Sequence, residues 1–101
     1  MSLVDDIKNR RDAAWRALRR HIETYMDEYC RHSIDGLTVK MFAGQLPEWQ
    51  VTRLNAYWVW WEAVMAHYGA VKAQILAGQD VIYNPAVAGP CPWDIWQLVT
   101  E

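Results

Sequence analysis

The sequence contains only two cysteines, Cys30 and Cys91. They stand far apart, outside any metal-ligand spacing or disulfide framework, so two reduced thiols in a cytoplasmic protein are expected. Cys30 and His32 are the one close pair of metal-capable residues, and a structural zinc site needs four ligands in groups, so no metal is expected. Charge of either sign is not in excess. Ten Lys and Arg face twelve Asp and Glu, a net charge of −2, which gives no global attraction to nucleic acid or acidic membranes. Long apolar runs are missing too: residues 56–71 fall short of the ~20 that a bilayer span requires and include Glu62 and His67. The start of the chain lacks the basic and then apolar layout of a signal peptide, because Asp5 and Asp6 follow Val4, and Met1-Ser2-Leu3 reads in part as a cloning remnant. Gly-rich phosphate loops, nucleophile elbows, His-Glu helix motifs and internal repeats are all absent. No catalytic residue, cofactor or reaction is therefore expected.

Phenylalanine occurs once, against seven tryptophans and five tyrosines. That balance favours side chains with a large apolar body and a polar edge, the composition enriched in interface cores. The most apolar stretch is Ala56-Tyr-Trp-Val-Trp-Trp-Glu-Ala-Val-Met-Ala66, where Glu62 is the one charge. At about 100° per residue, residues 47–77 form a helix with three apolar stripes instead of one. Val51, Leu54, Trp58, Trp61, Met65 and Tyr68 make a seam of large residues, the expected core contact with another helix. Removing Trp58 or Trp61 is expected to cost about 3 to 5 kcal/mol. Trp49, Tyr57, Trp60, Val64, His67 and Val71 form an aromatic stripe, with His67 expected as a hydrogen-bonded packing residue. Ala56, Ala63, Ala66, Ala70, Ala73 and Ala77 form a stripe of small residues where another backbone can come close, with Ala56, Ala63, Ala66, Ala70 and Ala73 the expected interface.

Upstream, residues 4–31 read as a first helix opened by Asp5 and Asp6, acids that suit the positive end of the helix dipole. Its apolar residues, among them Ile7, Ala14, Trp15, Leu18, Ile22 and Met26, share one narrow face. Residues 32–46 are expected to turn at Ser33-Ile-Asp-Gly36 and to hold a short helix from Thr38, closed by Gly44, with a strand over Leu37-Thr-Val-Lys-Met41 as the alternative. Pro47 and Glu48 open the second helix and Gly78 stops it. Residues 78–92 contain three of the four prolines and read as an extended arm. Residues 93–99 read as a short helix bearing Trp93, Trp96 and Val99, too short to stand alone and so expected to dock, with the aromatic stripe as its natural receptor.

The basic half of the first helix, with Lys8, Arg10, Arg16, Arg19 and Arg20, is the candidate nucleic-acid surface. Asp5, Asp12, Glu23 and Asp27 interleave with it, and Asp6–Arg10 and Asp12–Arg16 have i,i+4 spacing, so a solvated salt-bridge face is expected. Arg11 falls within the apolar face, where it is expected either to snorkel out along its stem or to meet an acid or carbonyl across the interface, and Glu62 is expected to pair with Arg11 or another base.

The turn lacks the Trp-x-Gly of the small secreted WXG proteins. Pro47-Glu-Trp-Gln50 and Pro90-Cys-Pro-Trp93, in a short, acidic, Trp-rich helical chain, resemble small proteins of prophage tail modules, including tail assembly chaperones. The resemblance implies a role in assembly and carries over no site residues. The resulting expectation is an all-α single domain: an antiparallel two-helix hairpin with a short connecting helix and a docked arm, packed as a helical-bundle homodimer through the alanine stripe. Its expected role is non-enzymatic protein–protein interaction, with neither nucleic acid nor membrane as partner. Two alternatives stay open: a small-molecule binder with a Trp-lined pocket around Trp58 and Trp61, and a nucleic-acid regulator using the basic half of the first helix.

Overall fold

The computed structural model describes residues 3–92. Within them the chain is all-helical, with α1 over Leu3–Glu23, α2 over Glu28–Phe42, α3 over Glu48–Leu76 and a single 3₁₀ turn at Pro85–Val87. The expected docking residues Trp93, Trp96 and Val99 lie outside the described residues.

The helix expected over 4–31 is broken. Asp27 takes an extended conformation and its carboxylate accepts the Cys30 N–H at 2.9 Å, which makes it the N-cap of a new helix. A cap of this kind is worth about 1 kcal/mol and restarts the backbone after the break. The expected turn at Ser33–Gly36 is likewise helical, inside α2. Thr38 explains why. Its hydroxyl donates to the Ile34 carbonyl at 2.8 Å and accepts the Trp58 indole N–H at 3.0 Å, so it anchors the middle of α2 to α3 instead of capping a helix.

Gly36 sits in this helix with nothing near the position of an added Cβ and at negative φ. Gly36→Ala is therefore expected to stabilise the fold by about 0.5–1 kcal/mol in urea denaturation, through a less flexible unfolded chain.

Two glycines do end helices. Gly44 and Gly78 have φ of 72° and 85°. At the first, Gln45 N–H donates to Lys40 O and Gly44 N–H to Met41 O, and at the second, Gln79 N–H donates to Gln74 O and Gly78 N–H to Ile75 O, in each case the paired bonds of the Schellman stop.

α1 and α3 run in opposite directions. Arg10 meets Asp80, Trp15 meets Tyr68, His21 meets Trp60, and the Tyr57 hydroxyl donates to the Met26 sulfur at 3.7 Å. The core holds Leu18 and Ile22 of α1, Met26, Cys30 and Ile34 at and after the break, and Leu54, Tyr57, Trp60, Val64, Val71 and Ile75 of α3. The centre of α3's buried surface is thus the aromatic stripe. Of the large-residue seam only Leu54 is fully buried; Val51, Trp58, Trp61, Met65 and Tyr68 flank the core half-buried. Cys30 and Cys91 are thiols.

Candidate functional site

α3 presents three faces, and different parts of the chain meet two of them. On the aromatic side lies the C-terminal arm. Leaving Gly78, it turns back along α3: Asp80 pairs with Arg10 at 3.1 Å, the Asn84 N–H donates to His67 Nε2 at 3.0 Å, and the Gly89 carbonyl accepts the Trp60 indole N–H at 3.0 Å. Tyr83 inserts between the helices, buried, with its hydroxyl 2.6 Å from His21 Nδ1. Asn84 also caps the 3₁₀ turn, accepting the Ala86 N–H. The arm therefore docks within its own chain over these residues, and His67 has the packing role expected of it.

Aromatic rings fill the joint beneath the arm. His21 stands edge-on to Tyr25 and to Trp60, each at 5.8 Å, and Tyr25 meets Trp60 at 5.5 Å. Burial, and then the charge of His67, holds His21 below the ordinary histidine range. Burial likewise raises Tyr83. Tyr57 is pushed far above the ordinary phenol value by burial first, with Cys91 and Asp35 adding to the shift. All three environments favour the neutral side chain.

On the opposite flank the large-residue seam meets α1 and α2 incompletely. Trp15, Leu18, Ile22, Trp61 and Met65 line a cleft of about 290 Å³ rimmed by Arg19, Glu23 and Arg31. Trp58 and Trp61 stand 6.4 Å apart between ring centroids and together line a separate cleft of about 340 Å³ with Tyr57, Glu28, Arg31, His32 and Asp35, but of the two only Trp61 reaches the cleft of about 290 Å³. Trp15 completes the cleft from α1; its position on the apolar face was legible, its half exposure was not.

The third face looks outward. Val59, Ala63, Ala66, Ala70 and Ala73 are all exposed, Val59 to 68%, and Ala56 at their edge is half-buried. Residues 38–44 do not fold over this strip: they belong to α2 and its stop, and Thr38 is tied to Trp58 on the other flank. Glu62 lies exposed beside the strip.

The charges of α1 are interleaved as expected, though not in every pair. Arg10 meets Asp6 at 3.1 Å and Arg19 meets Glu23 at 3.5 Å, both at i,i+4. Asp12 pairs with Arg11 at 3.9 Å instead of with Arg16, and Arg11 is exposed, in line with the snorkelling alternative and not with a contact to Glu62. DNA or RNA is expected to bind no tighter than about 1 μM at physiological salt, because paired acids cancel the field that phosphates would meet. Fluorescence anisotropy with a labelled duplex measures it, and tight, salt-dependent binding would contradict the expectation.

Among the described residues no group of His, Cys, Asp and Glu is arranged to hold a metal ion, and no helix is long and apolar enough to cross a membrane. His21, Tyr83 and Asn84 are the residues that sequence reasoning did not bring together. His21 and Tyr83 are 62 positions apart, and nothing local in either segment signals the pairing. In comparisons with known proteins, the chain matches no family model, no curated protein and no solved structure.

Proposed function

We propose that this chain is a non-enzymatic protein–protein interaction or assembly protein that works as a homodimer, with the outward strip of α3 as its contact surface. The observation that carries the reading is the chemistry of that strip. A helix face left in water ordinarily bears charged and polar residues, whereas Val59, Ala63, Ala66, Ala70 and Ala73 are exposed and apolar. Small side chains at 3-4 spacing let two helix backbones approach closely, and one such patch on a single chain closes most simply about a two-fold axis. Further apolar surface at the end of α2, where Phe42 is 83% and Val39 69% exposed, would remain for a different protein partner. The resemblance to small prophage tail-module proteins points the same way, towards a morphogenesis accessory. Light scattering after size exclusion tests the proposal: a two-chain mass supports it, and a one-chain mass overturns it.

A second reading has its own observation. The cleft between Trp15, Trp61 and Met65 is apolar, with few polar groups at its rim, as small-ligand sites are. Its ligand would be small and largely apolar, and saturable quenching of tryptophan fluorescence by such a compound, lost in Met65→Glu, would favour it.

A further inference from the structure

The C-terminal arm is fastened by groups whose hydrogen-bonding roles change with protonation. His67 Nε2 accepts the Asn84 N–H at 3.0 Å, which only an unprotonated ring nitrogen can do. One residue earlier, Tyr83 bonds His21 Nδ1 at 2.6 Å. The Tyr83 ring lies 4.9 Å from the His67 ring and 5.7 Å from the His21 ring. Two imidazoles, one from α1 and one from α3, thus grip consecutive residues of the same segment.

The groups around them come from every element in contact. α1 contributes Arg20, which lines the adjoining cavity with His21 and the arm's Pro85, Ala86, Gly89 and Pro90, and the break after α1 contributes Tyr25, edge-on to His21. α3 contributes Trp60, and the arm contributes Tyr83, while Asp80 is engaged by Arg10. Among the described residues neither imidazole is ion-paired with a carboxylate, so a positive charge on one ring faces the other imidazole without a counter-ion.

We infer that residues 80–91 form an acid-released strap, closed while both imidazoles are neutral and opened when a proton on His67 Nε2 sets donor against donor at the Asn84 N–H. The sign agrees with His21, which burial and His67 hold below its unfolded value of 6.5. A histidine lowered in this way contributes stability that is complete above the unfolded value and is lost as pH falls through the folded one. Opening withdraws the Gly89 carbonyl from the Trp60 indole and Tyr83 from the core, which uncovers the aromatic stripe of α3. The strap is a property of this joint and does not depend on whether the outward strip pairs two chains.

Amide hydrogen exchange with ring-nitrogen NMR, from about pH 7.5 to about pH 5, tests it. In the wild type, the Asn84 amide and the Trp60 indole N–H are expected to lose protection about tenfold beyond the intrinsic pH effect, with the midpoint of the His67 ring and with helical circular dichroism unchanged. His67→Gln offers an oxygen acceptor that does not titrate, and is expected to keep the strap closed at about pH 5. His32→Gln, at an exposed histidine paired with Glu28, is expected to behave as the wild type does. Protection retained in the wild type at about pH 5 overturns the inference. So does release that persists in His67→Gln, or helix loss at the same midpoint. Should His67→Gln fail to fold, the wild-type titration decides alone: a shared midpoint for Asn84 and His67 supports the strap and separate midpoints overturn it.

Discussion

Trp60→Ala is expected to destabilise the protein by about 3 to 5 kcal/mol, more than either Trp58→Ala or Trp61→Ala. Trp60 is only 5% exposed and stands where three segments join. Its ring packs edge-on against His21 of α1 and Tyr25 of the break that follows, and tilted against Tyr57 of its own helix. Its N–H holds the Gly89 carbonyl of the arm. Truncation removes the largest apolar body in the joint, leaves a cavity that rigid neighbouring helices cannot close, and frees a carbonyl in the arm. Trp58 and Trp61 are half-buried, so part of their surface already faces water and less is lost with them. Urea denaturation of the three variants measures the order. Equal costs, or a larger cost at Trp61, would mean that the large-residue seam and not the aromatic stripe is the centre of the core.

Ala66→Glu is expected to split a dimer built on the outward strip while leaving each chain folded. Ala66 is exposed within the chain, so a glutamate there costs a lone chain no more than about 0.5 kcal/mol, glutamate being a good helix former. Across a two-fold contact the same change places two carboxylates in an interface of small apolar residues, with desolvation and like-charge repulsion both opposing association. The dissociation constant is expected to rise at least about 100-fold, equivalent to about 2.8 kcal/mol. Circular dichroism should stay at the wild-type level while the mass falls to one chain. A variant that keeps its full dimer mass would place the contact elsewhere.

What could be read from the sequence followed from how local each signal was. The stops at Gly44 and Gly78 were legible because a positive φ and a Schellman pair depend on a few consecutive residues. The start of α3 was legible from Pro47 and Glu48, one position from the observed first residue. The break at residues 24–27 was harder. Tyr25, Met26 and Tyr29 continue the apolar spacing of α1, and only the Asp27 carboxylate, bonded to the Cys30 N–H, decides that a new helix begins. Gly36 carried a turn signal that Thr38 and Trp58 override from outside the segment.

The ranking of α3's faces could not be read locally at all. Each stripe is apolar, and which one becomes the core depends on where α1 and the arm lie. The clasp of Tyr83 and Asn84 by His21 and His67 is entirely non-local, formed by four residues on three elements. The alanine strip was legible as a pattern, and its exposure became evident once the neighbours of α3 were placed.

A homodimer built on that strip requires that a second copy of the chain cover it. Sedimentation equilibrium of the wild type over a concentration series up to about 100 μM measures this most directly, since a specific two-fold contact gives one association constant and a mass that stops at two chains. A mass that rises to two chains and no further is the predicted result. A single-chain mass throughout the series would contradict it.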